Sequence, residues 1–100
     1  MARLNPKIRK EKILLAALEV ARKGAYVQMS AEDVATVADM SRGLITRYFG
    51  SMVGLKKAVM KRAVELELCE ILIQGLAINC SIAKAAPIDL KRKTLARYAS

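Results

Sequence analysis

Three serines set the tightest constraint on what this chain can fold into. Ser30, Ser41 and Ser51 each precede a short run of helix-forming residues. A serine there can accept backbone N–H groups that the first turn of a helix leaves unpaired. Ser30 is followed by Asp33, a capping box with Asp in place of the usual Glu. Caps this close together predict a short helix over 31–38, a turn of only Asp39 and Met40, a second short helix over 42–49 after Ser41, and a further helix after Gly50 and Ser51. Two short helices joined by so brief a turn read as a helix-turn-helix.

The flanking segments are also helical by pattern. Asn5-Pro6 reads as cap and first helical residue, and Gly24 closes the run, with Arg22 and Lys23 placed favourably at its negative end. The first helix is expected over Pro6 to Lys23, with Ile13, Ala17 and Val20 in one apolar row and Leu14, Leu18 and Ala21 in the next. From about Met52 the pattern stays helical through Glu70 and as far as Ala83. Gly54 and Gly75 are the weak points, and a break is expected near Gly75. Pro87 stops that run and starts a last helix, Ile88 to Tyr98, whose apolar side is Ile88, Leu95 and Tyr98. Apolar residues make up 54% of the chain but aromatics only 4%, the rest of the apolar content being largely Ala, Leu, Ile and Val. Set between Lys, Arg and Glu, that mixture places the chain in the all-α class.

Inside the motif the residue types match the mechanical needs. Val34, Val37 and Ala38 are expected to face inward, and Ala35 is small enough to let the next helix approach. Asp39 can take a left-handed turn conformation, Met40 plugs the turn and Ile45 anchors the second helix from beneath. Arg42, Leu44, Thr46 and Arg47 then point outward. The competing reading is an ordinary helical hairpin in a bundle. Charge argues against it, because the 42–49 helix carries Arg42 and Arg47 and no acid, and its amino end suits phosphate.

The net charge is +9, without a single histidine. Residues 1–62 hold thirteen Lys and Arg against five acids, residues 63–83 hold three Glu and no base, and the last seventeen hold five bases against Asp89. A basic binding part, an apolar and mildly acidic middle and a basic tail follow, with nucleic acid the leading partner. Cys69 and Cys80 have no CxxC spacing and no secretory signal upstream, which fits small buried residues in a reduced, cytoplasmic protein. On one continuous helix they would lie about 16 Å apart, too far for a disulfide within the chain. Glu67, Glu70, Gln74 and Asn79 interrupt the apolar stretch from Leu66 to Ala83, which argues against a membrane span. No glycine-rich phosphate loop, metal-ligand cluster or catalytic constellation is legible, so an enzyme, a metal and a cofactor are not expected.

The set Ile13-Leu14-x-Ala16-Ala17, Gly24, Ser30-x-x-x-Val34-Ala35-x-x-Ala38-x-Met40-Ser41-x-Gly43-x-Ile45-x-x-Tyr48-Phe49 and Leu55 resembles the amino-terminal DNA-binding domain of the tetracycline-repressor (TetR) family, over about residues 8–62. The resemblance implies a three-helix DNA-binding domain. It puts Ser41, Arg42, Gly43, Leu44, Thr46, Arg47 and Tyr48 at base edges and nearby phosphates, with Ser30 and Ala31 as a backbone contact from the preceding helix. Asp39, Thr46 and Met52 stand where the family usually has glycine, tyrosine and lysine. Lys56 or Lys57 could supply the positive contact that Met52 does not. Family members typically continue into a ligand-binding part, whereas 38 residues follow position 62 here; an enclosed inducer pocket is not expected from them, unless the chain is the front part of a longer regulator.

The expected division is therefore a helix-turn-helix DNA-binding domain over 1–62 and short C-terminal helices over 63–100 that serve dimerisation and end in a basic tail. Residues 63–83 are apolar around more than one helix face, so Leu66, Leu68, Ile71, Leu72, Ile73 and Leu76 are expected to form a homodimer interface, the alternative being that they pack only within the monomer. The functional expectation is a ligand-independent homodimeric repressor on an inverted-repeat DNA operator. The competing class is a basic helical module that binds RNA, acidic membrane or a protein partner without reading DNA sequence.

Overall fold

Helix α1, Pro6–Val20, starts where the Asn5 side chain accepts the N–H groups of Lys7 at 2.7 Å and Ile8 at 3.3 Å, with Pro6 in the first turn where its missing N–H costs nothing. The computed structural model describes residues 5–98, and among these every element is helical. The remaining helices are α2 (Ala31–Ala38), α3 (Arg42–Phe49), α4 (Met52–Glu65), α5 (Cys69–Ala77), α6 (Ser81–Lys84) and α7 (Ile88–Tyr98).

α1 ends three residues before the expected Lys23. From Ala21 to Ala25 the chain widens into a π-type turn, with Gly24 at a φ of +93°. A widened turn normally needs a foreign group to satisfy the opened backbone. Gln74 of α5 supplies it: Oε1 accepts the Tyr26 N–H at 2.8 Å, and Nε2 donates to the carbonyls of Ala21 at 2.7 Å and Glu70 at 2.8 Å.

The long run expected after Met52 breaks in different places from those read off the glycines. The chain turns at Glu67 and Asn79, both in the left-handed region at φ of +55° and +57°, while Gly75 lies buried inside α5. A methyl group at Gly75 would lie 2.8 Å from the Ala83 Cβ and inside the Met60 methyl, so glycine there allows close approach of α4, α5 and α6 rather than a bend. Cys69 and Cys80 accordingly do not share a helix. Cys69 is buried at the start of α5, Cys80 is half-buried beyond its end, and both are free thiols.

One cluster of buried side chains runs through the molecule. Ile13 and Ala17 of α1 meet Val34 and Ala38 of α2, Ile45 of α3, and Leu55 and Val59 of α4. The same cluster continues through Met60 and Ala63 to Ile71 and Leu72 of α5, Ala83, Ala86 and Leu90 of α7. Ile71 and Leu72 are fully buried in the chain's own core and have no surface left for a second subunit. That corrects the expected interface: the apolar character of 63–83 is shared among the end of α4, α5 and α6, each packed on the others. Leu68, Ile73 and Leu76 are half-buried, and Leu66 is 55% exposed.

Two inward assignments are also reversed. Val37 faces solvent while Ala35 and Val34 are buried, because the approach of α3 selects the smaller residue. On α7 the buried positions are Leu90 and Thr94, and Ile88, Leu95 and Tyr98 form an outward apolar stripe. The Thr94 hydroxyl is fully buried without a hydrogen-bond partner.

Candidate nucleic-acid interface

The site is built by the serine caps. Ser30 Oγ accepts the Asp33 N–H at 3.2 Å and Asp33 Oδ2 accepts the Ser30 N–H at 3.0 Å, closing the reciprocal box at the start of α2. The Ser30 backbone N–H, and then its hydroxyl, hold the Asp33 carboxyl below its ordinary pKa. Asp39 ends α2 in the left-handed conformation, φ +56° and ψ +50°, with its N–H on the Ala35 carbonyl. An aspartate therefore performs here the turn that glycine makes more cheaply. Ser41 Oγ then accepts the Leu44 N–H at 3.4 Å and starts α3.

α3 has one fully buried residue, Ile45, which seats the helix on the core. Ser41, Arg42, Gly43 and Arg47 are exposed, while Leu44, Thr46 and Tyr48 are half-buried. Gly43 and Arg47, one turn apart, lie on the side away from Ile45. Open space surrounds Gly43, so a polynucleotide backbone can come close there. The Thr46 hydroxyl turns back to its own helix, 3.3 Å from the Gly43 carbonyl. At the far end a side chain at Gly54 would collide with the Phe49 carbonyl oxygen, so glycine lets α3 close onto the first turn of α4 behind Ser51, whose hydroxyl accepts the Gly54 N–H at 3.2 Å.

Ser30 is exposed and Ala31 half-buried, both at the amino end of α2. The two lysines proposed for phosphate differ. Lys57 is exposed, but Lys56 lays its ammonium 2.7 Å from the Val27 carbonyl and helps close the link between α1 and α2. Sequence reasoning did not find Tyr26, buried with its hydroxyl donated to the Lys56 carbonyl at 3.1 Å. Nor did it find the double hydrogen bond from Arg62 to Glu11, at 2.7 and 2.9 Å, which ties α4 to α1 and lowers the Glu11 pKa. Lys10 adds a cation over the Phe49 ring at 5.2 Å, bracing α1 against the end of α3. Gln74 did leave a signal, as a polar residue interrupting an apolar stretch. A group in that position is either exposed or answering a buried partner.

A short cap-bounded helix seated by one isoleucine, presenting arginines and no acid, is the geometry of a reading helix. Residues 13–59 match the family model of bacterial regulatory proteins of the tetR family. This segment is a tetR-family DNA-binding domain. The matched TetR segment covers α2, α3 and most of α1 and α4, so the helix-turn-helix and its support both lie within it. It marks the protein as a DNA-binding transcription regulator. No curated protein and no solved structure matches the chain. Among the described residues no helix is long and apolar enough to cross a membrane, and no cluster of ligating side chains could hold a metal ion.

Proposed function

We propose that this TetR-type regulator is a cytoplasmic homodimeric repressor that binds an inverted-repeat operator without a small-molecule inducer. The observation that carries the reading is the outward set on α3, Arg42, Gly43 and Arg47, above a fully buried Ile45. Arginines on such a helix can meet guanine edges in the major groove, and the capped amino ends of α2 and α3 can meet phosphate. Lys57 and the basic start of α1, Lys7 to Lys12, supply further phosphate contacts.

Dimerisation is proposed through apolar side chains that the chain leaves uncovered in its C-terminal part. Leu66, Ile78, Ile88, Leu95 and Tyr98 are all between 44% and 62% exposed. Two-fold pairing would put two reading helices on one face of DNA about 34 Å apart, one helical turn, and so select an inverted repeat. The groove of about 660 Å³ between α1 and the turn after α4, lined by Leu15, Leu18, Leu66 and Leu68 with charged residues at its rim, is open to solvent rather than enclosed.

A second reading has one observation in its favour: the α7 stripe is flanked by Lys91, Arg92 and Arg97, the pattern of a helix that lies on an acidic membrane. One experiment separates the two. Wild-type protein is used to select duplexes from a random pool, and the selected site is footprinted and the complex sedimented. Protection of a two-fold-symmetric site by a species of twice the 11.0 kDa chain mass is expected. Leu95→Glu should shift the free protein to monomer and weaken that site. A monomer that selects no sequence but binds vesicles containing acidic lipid would replace this reading with the second.

A further inference from the structure

We infer that Gln74, outside the matched domain, is a positioning residue for DNA reading: it fixes the wide turn between α1 and α2 and so sets where α2 and α3 sit against α4. The inference rests on the DNA-reading role proposed for α3.

Three hydrogen bonds converge on one side chain. Gln74 accepts the Tyr26 N–H and donates to the carbonyls of Ala21 and Glu70. Two of these groups lie in or beside the widened turn, and the third is on α5 itself. Without Gln74 the turn would have to tighten to an α-helical turn or leave backbone groups unpaired. Tightening would rotate everything after residue 25. The turn is joined to the reading unit by two further links, Tyr26 Oη to the Lys56 carbonyl and Lys56 Nζ to the Val27 carbonyl, with only Gln28 and Met29 between Val27 and the Ser30 cap. The position of α5 is itself fixed, because Gly75, the next residue, admits no side chain between Met60 and Ala83. An amide is the only side chain of this length that both accepts from one backbone group and donates to two others.

Two variants test the inference, with the wild type beside them and duplexes selected by the wild type as probe. Gln74→Met keeps the length and loses all three bonds. Gln74→Glu keeps the acceptor for Tyr26, but as a carboxylate it has no donor and faces two carbonyls; protonation restores a donor. The charged groups around this position are Glu70 and Arg22, which pair with each other at 3.7 Å, and Lys56. The chain has no histidine, so the wild type provides a flat reference through the neutral range.

Both variants should keep wild-type helix content by circular dichroism and lose amide-exchange protection at Tyr26. Near pH 8 both should bind the selected duplex about tenfold more weakly. As the pH falls towards about 5, Gln74→Glu should recover affinity and Tyr26 protection, and Gln74→Met should not. Wild-type affinity in folded Gln74→Met, or a Gln74→Glu profile parallel to the wild type, would overturn the inference. Should Gln74→Met not fold, the Gln74→Glu profile alone decides. Should the wild type bind all duplexes alike, the operator reading fails, and positioning is then judged by whether the variants bind random duplex about tenfold more weakly or equally well.

Discussion

Tyr26 gives its hydroxyl hydrogen to the Lys56 carbonyl at 3.1 Å, and Lys56 returns its ammonium to the Val27 carbonyl at 2.7 Å, so a buried aromatic and a lysine brace the same link from opposite ends. Burial, and then the neighbouring Cys80, push the Tyr26 pKa up to about 12 from its ordinary 10.0. A raised pKa means that the folded state holds the phenolic proton more tightly than the unfolded chain does. The contribution of Tyr26 is therefore complete below pH 10 and is lost as pH rises from there towards 12. Denaturant titrations across that window should show wild-type stability falling by about 2 kcal/mol more than that of Tyr26→Phe. Parallel curves would show that the hydroxyl ionises as freely folded as unfolded.

Thr94 is fully buried on α7 with no partner for its hydroxyl. Replacing it by the similarly shaped valine removes the desolvated group and fills the same space. Thr94→Val should raise unfolding stability by roughly 1 kcal/mol, read as a higher thermal midpoint. A lower midpoint would mean that the hydroxyl is hydrogen-bonded in solution.

Arg42 and Lys57 should fail in different ways. Loss of a base-reading arginine reduces discrimination, by about 1–3 kcal/mol, whereas loss of a phosphate-binding lysine weakens every sequence alike. Arg42→Ala should bring affinity for the selected duplex towards that for random DNA with helix content unchanged. Lys57→Ala should lower the slope of affinity against salt by about one unit. Lys56→Ala is expected to act chiefly on stability, since its ammonium is engaged with Val27. A salt slope that falls for Lys56 and not for Lys57 would reverse the two assignments.

Gly54 lets the end of α3 sit against the first turn of α4, where a side chain would strike the Phe49 carbonyl oxygen. Because the obstacle is backbone, it cannot be relieved by a rotamer change. Gly54→Ala should cost on the order of 1–3 kcal/mol despite the better helix propensity of alanine, checked by chemical denaturation. A gain in stability would show that the two helix ends can part without strain.

The sequence made the reading unit legible because its signals are local. A cap such as Ser30 or Ser41 acts on a residue three positions away, and the left-handed turn at Asp39 lies between two of them. The C-terminal part was read less well because its determinants are distant. Gly75 looked like a break, but its meaning depends on Met60 and Ala83. The true turns fall on Glu67 and Asn79, whose left-handed backbone leaves a weaker mark in sequence than glycine. Ile71 and Leu72 were assigned outward because apolar periodicity shows that a face is covered without showing by what, and here the cover is the rest of the chain. The clamp through Gln74 spans 53 positions to Ala21, beyond the reach of any spacing rule.

The single cluster of buried side chains from Ile13 to Leu90 also governs how this protein can be cut. A break after position 62 would leave Met60 of α4 facing water where α5 had lain, and would take Gln74 away from the link between α1 and α2. The reading helices therefore cannot be harvested as a free-standing fragment, and a protease that nicks the tail disarms the DNA-binding end in the same stroke.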